Sequence, residues 1–221
     1  MKPETKTRIA AEAEAAEFFS TLPNNIRGFT LRKIFADTVD KFNYFSYEKN
    51  RRSLTAYFHE ETGEYKVRVA VGLAEFCLTE FFTRDFSRFT KILGAELNRA
   101  IESLDAPVTD SLLVEQNFSG WDYGKNLPQN LEGFELFVAP DNPAKFTNGS
   151  YIVVNYSDFA AASDFTVFYN VYTENFTAES KIRLVPQVSS LFDAKTLKEL
   201  ETALAENLAA ELRRIKTFSA G

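Results

Sequence analysis

Acid–base or thiol chemistry in this chain would have to pass through one histidine, His59, or one cysteine, Cys77. A histidine acting as general base needs a nucleophile to activate and a carboxylate to orient it. His59 ends an alternating apolar run beside Glu60 and Glu61, and reads as an exposed strand-end side chain. Cys77 lies in AEFCLTEFF with no histidine near it in sequence, the setting of a buried, inert thiol behaving as a small hydrophobe. A lone cysteine forms no internal disulfide, and one cysteine with one histidine builds no metal cage without several carboxylates. No catalytic residue, metal ligand or cofactor is assigned.

Asp158, Asp164, Glu174 and Glu179 gather around one turn, but nothing in the sequence sets their separation. Turns collect Asp and Ser for their own local hydrogen bonds. Lys49, Arg51 and Arg52 make the one dense basic patch, too small for a nucleic-acid groove, and read as a solvated turn. Phosphate-loop, dinucleotide-turn, serine-elbow and zinc-helix signatures are all missing, so the reading leans against an enzyme. The most distinctive local stretch is NFSGWDYGKNLP (117–128), which holds the only Trp. Trp121 and Tyr123 form a candidate aromatic platform with Asp122 as a polar handle, set against the alternative of a Trp that anchors its loop to the core. Phe134, Tyr156 and Asp158, from the same half of the chain, complete the candidate binding set.

The elements that position these residues come twice. LPNNIRGFTL (22–31) and LPQNLEGFEL (127–136) share six identities at an offset of 105, with Pro and Gly in register. Pro fixes φ and Gly permits a turn closed to other residues, so each copy reads as a turn delivering a strand. Two strands joined by a polar turn follow in each half, 53–59 with 64–72 and 150–156 with 164–172, at an apparent offset of 97–100. The second pair is apolar on both faces, the pattern of a doubly covered sheet. ENFTAESKIRLVPQV (174–188) reads as an added strand ending near Pro186. An amphipathic helix closes each half, with Phe86, Phe89, Leu93, Leu97, Ile101 and Leu104 in the first and Leu197, Leu200, Leu204, Leu208, Leu212 and Ile215 in the second. Thr83 or Asp85 can cap the first and Asp193 the second. An Ala/Glu-rich helix over 4–20 precedes the first motif; its counterpart near 105–121 is not assignable.

The fold class expected is therefore α+β: an internal duplication of a unit with an antiparallel sheet followed by a long amphipathic helix, plus an N-terminal helix. The boundaries are 1–105 and 106–221, the second repeat packed against the first because no low-complexity linker separates them.

The 221-residue chain is 45% hydrophobic, an ordinary globular composition, and its 22 Phe make phenyl rings the main core material. Net charge is −6, and residues 1–105 hold sixteen basic and sixteen acidic side chains, so the negative excess lies in the second half. That balance argues against nucleic acid as a partner. No stretch approaches a membrane span or a signal-peptide core, which points to the cytoplasm; the sequons at Asn117, Asn148, Asn155 and Asn175 then carry no weight. The function expected is a non-enzymatic binding or adaptor protein that contacts another protein or peptide, a monomer with pseudo-two-fold symmetry or a weak homodimer. The alternative is a small-molecule binder or enzyme using a cleft between the repeats.

Overall fold

The computed structural model describes residues 1–105, 121–147 and 149–220. Residues 106–120, which hold most of the unassigned counterpart of the N-terminal helix, and the sequon residues Asn117 and Asn148 lie outside them. The chain divides into two units, Met1–Asp105 and Ala106–Gly221. Each is an antiparallel sheet followed by a long helix, so the fold is α+β. No helix among the described residues is long and apolar enough to cross a membrane.

The first unit opens with α1 (Pro3–Ala15) and α2 (Glu17–Ser20). A single helix over 4–20 was expected, but the chain breaks at Ala16, whose φ of −86° and ψ of 106° are extended. The break turns Phe19 inward, where its ring stacks on Tyr44 at 5.1 Å. Six strands follow as a meander: β1 (Asn25–Ile26), β2 (Phe29–Asp37), β3 (Lys41–Lys49), β4 (Arg52–His59), β5 (Glu64–Val71) and β6 (Ala74–Thr83). The helix α3 (Phe86–Asp105) then packs its apolar stripe on the sheet, with Phe89, Leu93 and Ile101 fully buried. Of the two expected caps, Asp85 is the one used: its Oδ1 accepts the Arg88 N–H at 2.8 Å.

The second unit has α4 (Asp122–Lys125), β7 (Asn130–Leu131), β8 (Phe134–Val138), β9 (Ala144–Thr147), β10 (Ser150–Asp158), β11 (Ser163–Asn170), β12 (Asn175–Ile182) and β13 (Val185–Ala194). They order as β13-β12-β11-β10-β8-β7, with β9 also paired to β10. The helix α5 (Leu197–Ala220) closes the unit and buries Leu200, Leu204, Leu208, Leu212 and Ile215. Its cap is Thr196, whose Oγ1 accepts the Glu199 N–H at 3.2 Å, not Asp193.

Place in the sheet corrects the expected pairing of the hairpins. Strand 150–156 stands where β3 stands in the first unit, and 164–170 stands where β4 stands. The segment 174–188 adds no extra strand; β12 and β13 occupy the places of β5 and β6. Tyr47 and Tyr156, at matching register positions, are 109 apart in sequence. From Arg52 and Ser163 onward the spacing is 111. The step of two comes from the connecting turn, Asn50–Arg51 with both φ positive in the first unit and the longer Phe159–Ala162 in the second. Both third strands carry a register shift at the same place, between Asn43 and Phe45 and between Ile152 and Val154.

Candidate functional site

The turn before β2 and its counterpart before β8 are built alike. Arg27 and Gly28 have φ of 52° and 86°, Glu132 and Gly133 52° and 84°, the two positive values a type I′ hairpin requires. The Tyr47 hydroxyl donates to the Pro23 carbonyl and the Tyr156 hydroxyl to the Pro128 carbonyl, each at 2.7 Å. The ion pairs tying each turn to its helix run in opposite directions. Arg27 on the first turn meets Glu102 of α3, while Glu132 on the second meets Arg213 of α5 at 2.7 Å. Lys49 of β3 meets Asp105 of α3 at 2.6 Å, while Asp158 of β10 meets Lys216 of α5 at 2.5 Å. In both units a lysine tail lies against the turn glycine and over the first phenyl ring of the strand, Lys49 on Phe29 at 5.5 Å and Lys216 on Phe134 at 5.9 Å.

This geometry places the candidate binding residues. Lys216 brings Phe134 and Asp158 together, and Asp158 is 8% exposed. Burial alone would raise the Asp158 carboxyl, yet the Lys216 ammonium and the Ala161 N–H hold it below its usual range. Trp121 and Tyr123 lie with ring centroids 5.8 Å apart. The indole is buried and its Nε1 donates to Glu201 at 3.2 Å. Phe134 and Tyr156 are wholly buried as well. Asp122 is exposed and Tyr123 half-exposed, so they are the members of the set that face solvent. Gly124 makes room for the indole, since a Cβ there would fall 2.4 Å from a Trp121 ring carbon.

On the face of the second sheet away from α5 runs a buried polar row that includes Asp164, one of the carboxylates expected at the turn. Asn155, Ser157, Asp164 and Thr166 are each 2% exposed or less. Asn155 Nδ2 donates to Thr166 Oγ1 at 2.7 Å and to Asp164 Oδ2 at 3.4 Å, and Ser157 donates to Asn155 Oδ1 at 2.7 Å. Burial raises the Asp164 carboxyl to about 6, against the pull of Lys181 and the Asn155 amide. Asp158 and Asp164 flank one turn but are engaged separately, one with Lys216 and one inside this row. Glu179 stands opposite Thr166 on β12, and Glu174 is exposed in the β11–β12 turn.

The remaining candidates are placed as follows. His59 closes a loop, with Nε2 at 3.1 Å from Asp40 and Nδ1 at 3.1 Å from Thr62. Cys77 is half-buried on β6, not buried, and its Sγ lies 3.3 Å from the Tyr57 hydroxyl. The basic patch ends the first helix: Arg52 donates to the Leu104 carbonyl and Lys49 pairs with Asp105, the charge complement a helix C-terminus favours. Among the described residues no group of three or more His, Cys, Asp or Glu is arranged to hold a metal.

The two sheets differ most at their last strands. Among the described residues β6 and β13 are both outer edges, each pairing on one side only. β6 carries Glu75 and Glu80, both exposed, with Glu75 paired to Arg68 at 3.1 Å. At the same places β13 has Pro186 and Leu191. Leu184, Val185, Val188 and Leu191 are 59%, 57%, 89% and 53% exposed. From Leu184 to Phe192 the chain LVPQVSSLF holds no charge at all. That uncharged run was the available signal, and reading Pro186 as a strand terminator hid it. Comparisons with family models, curated proteins and solved structures give no match.

Proposed function

We propose that the chain is an internally duplicated α+β protein whose second unit binds a partner protein along the outer edge of β13. The duplication is supported by the six identities at offset 105, the paired turns, the matched register shifts and the two charge-reversed ion pairs. The binding reading rests on one observation: Val185, Val188 and Leu191 of the edge strand β13, with Leu184 in the turn before it, stand exposed along a run, 184–192, that holds no charge. An open strand edge offers unpaired N–H and C=O groups, and monomers ordinarily blunt such edges with charge or proline. The first unit does so with Glu75 and Glu80; the second has Pro186 alone, and Val188 and Leu191 beyond it stand exposed without a charge between them. An added strand would take main-chain hydrogen bonds from the edge and read Val188 and Leu191 as side-chain anchors.

The test is affinity capture from the native host with the wild type, a Val188→Lys, Leu191→Lys double variant, and a Glu75→Gln, Glu80→Gln control on the opposite edge. The expected result is a partner lost from the first variant and kept by the control. A partner retained by the β13 variant with its melting temperature unchanged would refute the reading.

A further inference from the structure

We infer that Arg8, Tyr65 and Tyr44 of the first unit form a binding site for a small organic acid with an apolar, ring-sized body, a site that the chain's own Glu12 carboxylate occupies in this structure. The site is separate from the β13 edge and does not rest on it. Tyr44 is wholly buried, and among the described residues its hydroxyl is the one buried side-chain polar atom without a hydrogen-bond partner. A buried donor left unpaired gives up its hydration for nothing in return. The fold does not ask for it. Tyr44 is the extra residue in the β3 register shift, and Val153 holds the matching place in β10, also wholly buried. Tyr65 is matched by Phe176, which likewise has no hydroxyl. The sheet therefore needs apolar side chains at these two places, and the hydroxyls are additions of the first unit.

The groups around that hydroxyl are suited to a carboxylate. Arg8 and Glu12 stand one turn apart on α1, and the Arg8 guanidinium donates to Glu12 Oε1 at 2.7 Å and to the Tyr65 hydroxyl oxygen at 3.1 Å. The Tyr65 hydroxyl donates in turn to Glu12 Oε2 at 2.5 Å. One carboxylate is thus already held by a guanidinium and a phenol, a charge-assisted pairing. The Tyr44 ring stacks on Phe19 at 5.1 Å and lies 6.4 Å from the Tyr65 ring. Burial pushes its hydroxyl up, and the groups whose charge also acts on it are Tyr65, Glu12 and Arg8. Glu12 does not bond to it, because its carboxylate is tethered to α1. A carboxylate free of that tether can lie one step deeper, between Tyr65 and Tyr44, with Arg8 still paired to it.

The body of the acid is set by the rings beside these donors. Phe58 lies under the Arg8 guanidinium at 5.4 Å and stands 5.0 Å from the Tyr65 ring; Phe89 is 5.4 Å from Tyr65, and Phe42 is 5.2 Å from Tyr44. A flat apolar body fits such walls, whereas an inorganic anion gains nothing from them. α1 is a light cover. The side chains it buries are Ile9 and Ala13, a helix of 13 residues is marginal by itself, and the extended Ala16 breaks it from α2. Entry is from the side of Arg8 and Glu12, whose side chains are 50% and 27% exposed. The acid competes with the chain's own carboxylate, so its affinity is reduced by the fraction of molecules in which Glu12 holds the site.

Equilibrium dialysis of the full chain against benzoate at neutral pH, with acetate as the comparison, tests the inference. Benzoate is expected to bind saturably, about tenfold or more tighter than acetate, and to raise the melting temperature. Glu12→Ala removes the internal competitor and tightens benzoate about fivefold. Arg8→Gln weakens it about tenfold by removing the cation. Tyr44→Phe weakens it about fivefold, yet leaves the unliganded protein melting no lower than wild type, since no pairing is lost. Failure of both the wild type and Glu12→Ala to take up benzoate overturns the inference, as does a Tyr44→Phe variant that binds benzoate as tightly as wild type. Equal uptake of acetate and benzoate would mean a bare anion site and overturn the assignment of the ligand. A Tyr44→Phe variant that melts well below wild type would mean that the hydroxyl is paired in the free protein, and would count against the site as well.

Discussion

The two units hold the same turn against the same helix with opposite charges. Arg27 and Lys49 of the first face Glu102 and Asp105, whereas Glu132 and Asp158 of the second face Arg213 and Lys216. Each change on the strand side is answered on the helix side, so what persists is the contact and not the residue. The same holds at the corner before the first strand, where Phe19 fills the core in one unit and Trp121 fills it in the other beside Gly124. The outer edges behave differently. Glu75 and Glu80 give way to Pro186 and Leu191, and among the described residues nothing covers Val188 or Leu191. Differences that are answered keep the contact between turn and helix; the one at the outer edge is not answered, which is why the proposed binding surface is placed there.

The corner offers the strongest way to break this comparison. Phe19→Ala and Trp121→Ala each remove a large buried ring, and each is expected to cost about 3–5 kcal/mol in urea unfolding. Gly124→Ala pushes a methyl group into the indole and costs about 1–3 kcal/mol by overpacking. If the corners are alternative solutions to one packing problem, Gly124→Phe should be destabilising alone yet recover stability in the Trp121→Ala background. Failure of that rescue, with both single variants behaving as expected, would show that the two corners are not interchangeable.

The buried row of the second sheet predicts a pH effect the first sheet lacks. At the place of Asp164 the first sheet carries Ser53, which does not titrate. Asp164 holds its proton up to about pH 6 in the folded protein against an ordinary 3.8. A carboxyl whose pKa is raised by folding binds its proton more tightly in the native state. Its contribution is fully present below the unfolded value and is lost as pH rises through the folded one. The Asp164 contribution, read as the difference between wild type and Asp164→Asn, should therefore fall between about pH 4 and pH 6 by on the order of 2–3 kcal/mol. Asp164→Asn should abolish that slope and leave the protein more stable than wild type at pH 8. Urea midpoints measured across this range, wild type against variant, decide the matter; parallel curves would mean that Asp164 is solvated.

The helices, the Pro–Gly turns and the apolar stripes were legible because each carries its own periodicity or punctuation. The strands were only half legible. KFNYFSYEK (41–49) places aromatic rings on both faces and shows no clean alternation, so β3 passed unread and 150–156 was matched to β4 in its stead. One missed strand was enough to turn a spacing that rises from 105 to 109 to 111 into one that seemed to fall and recover. The candidate site was less legible still. Ser157, Asp158 and Asp164 look like turn chemistry in sequence, and only cross-strand register shows that Ser157 and Asp164 are neighbours in a buried row. Exposure along β13 was not legible from residue type, because Val and Leu in a strand ordinarily mark a covered face; only the lack of any charge from Leu184 to Phe192 hinted at it.

The smallest effect addresses the charge reversal itself. Glu132 and Arg213 are both partly exposed, at 31% and 59%, so solvent screens their attraction and the pair is worth about 0.5 kcal/mol. Glu132→Arg sets two guanidinium groups against each other and should cost somewhat more than the loss of the pair. Adding Arg213→Glu rebuilds the contact in the direction the first unit uses, Arg27 to Glu102. A double-mutant cycle read by urea unfolding should thus return the reversed protein to near wild-type stability, with a coupling of about 0.5 kcal/mol that shrinks in molar salt. A coupling of zero at low ionic strength would mean that the turn is held by Gly133 and the Tyr156 hydroxyl alone. The reversal would then be a consequence of drift on a solvated surface, and the argument from answered differences would rest on the Asp158–Lys216 pair, whose carboxylate is buried and whose loss the fold cannot screen.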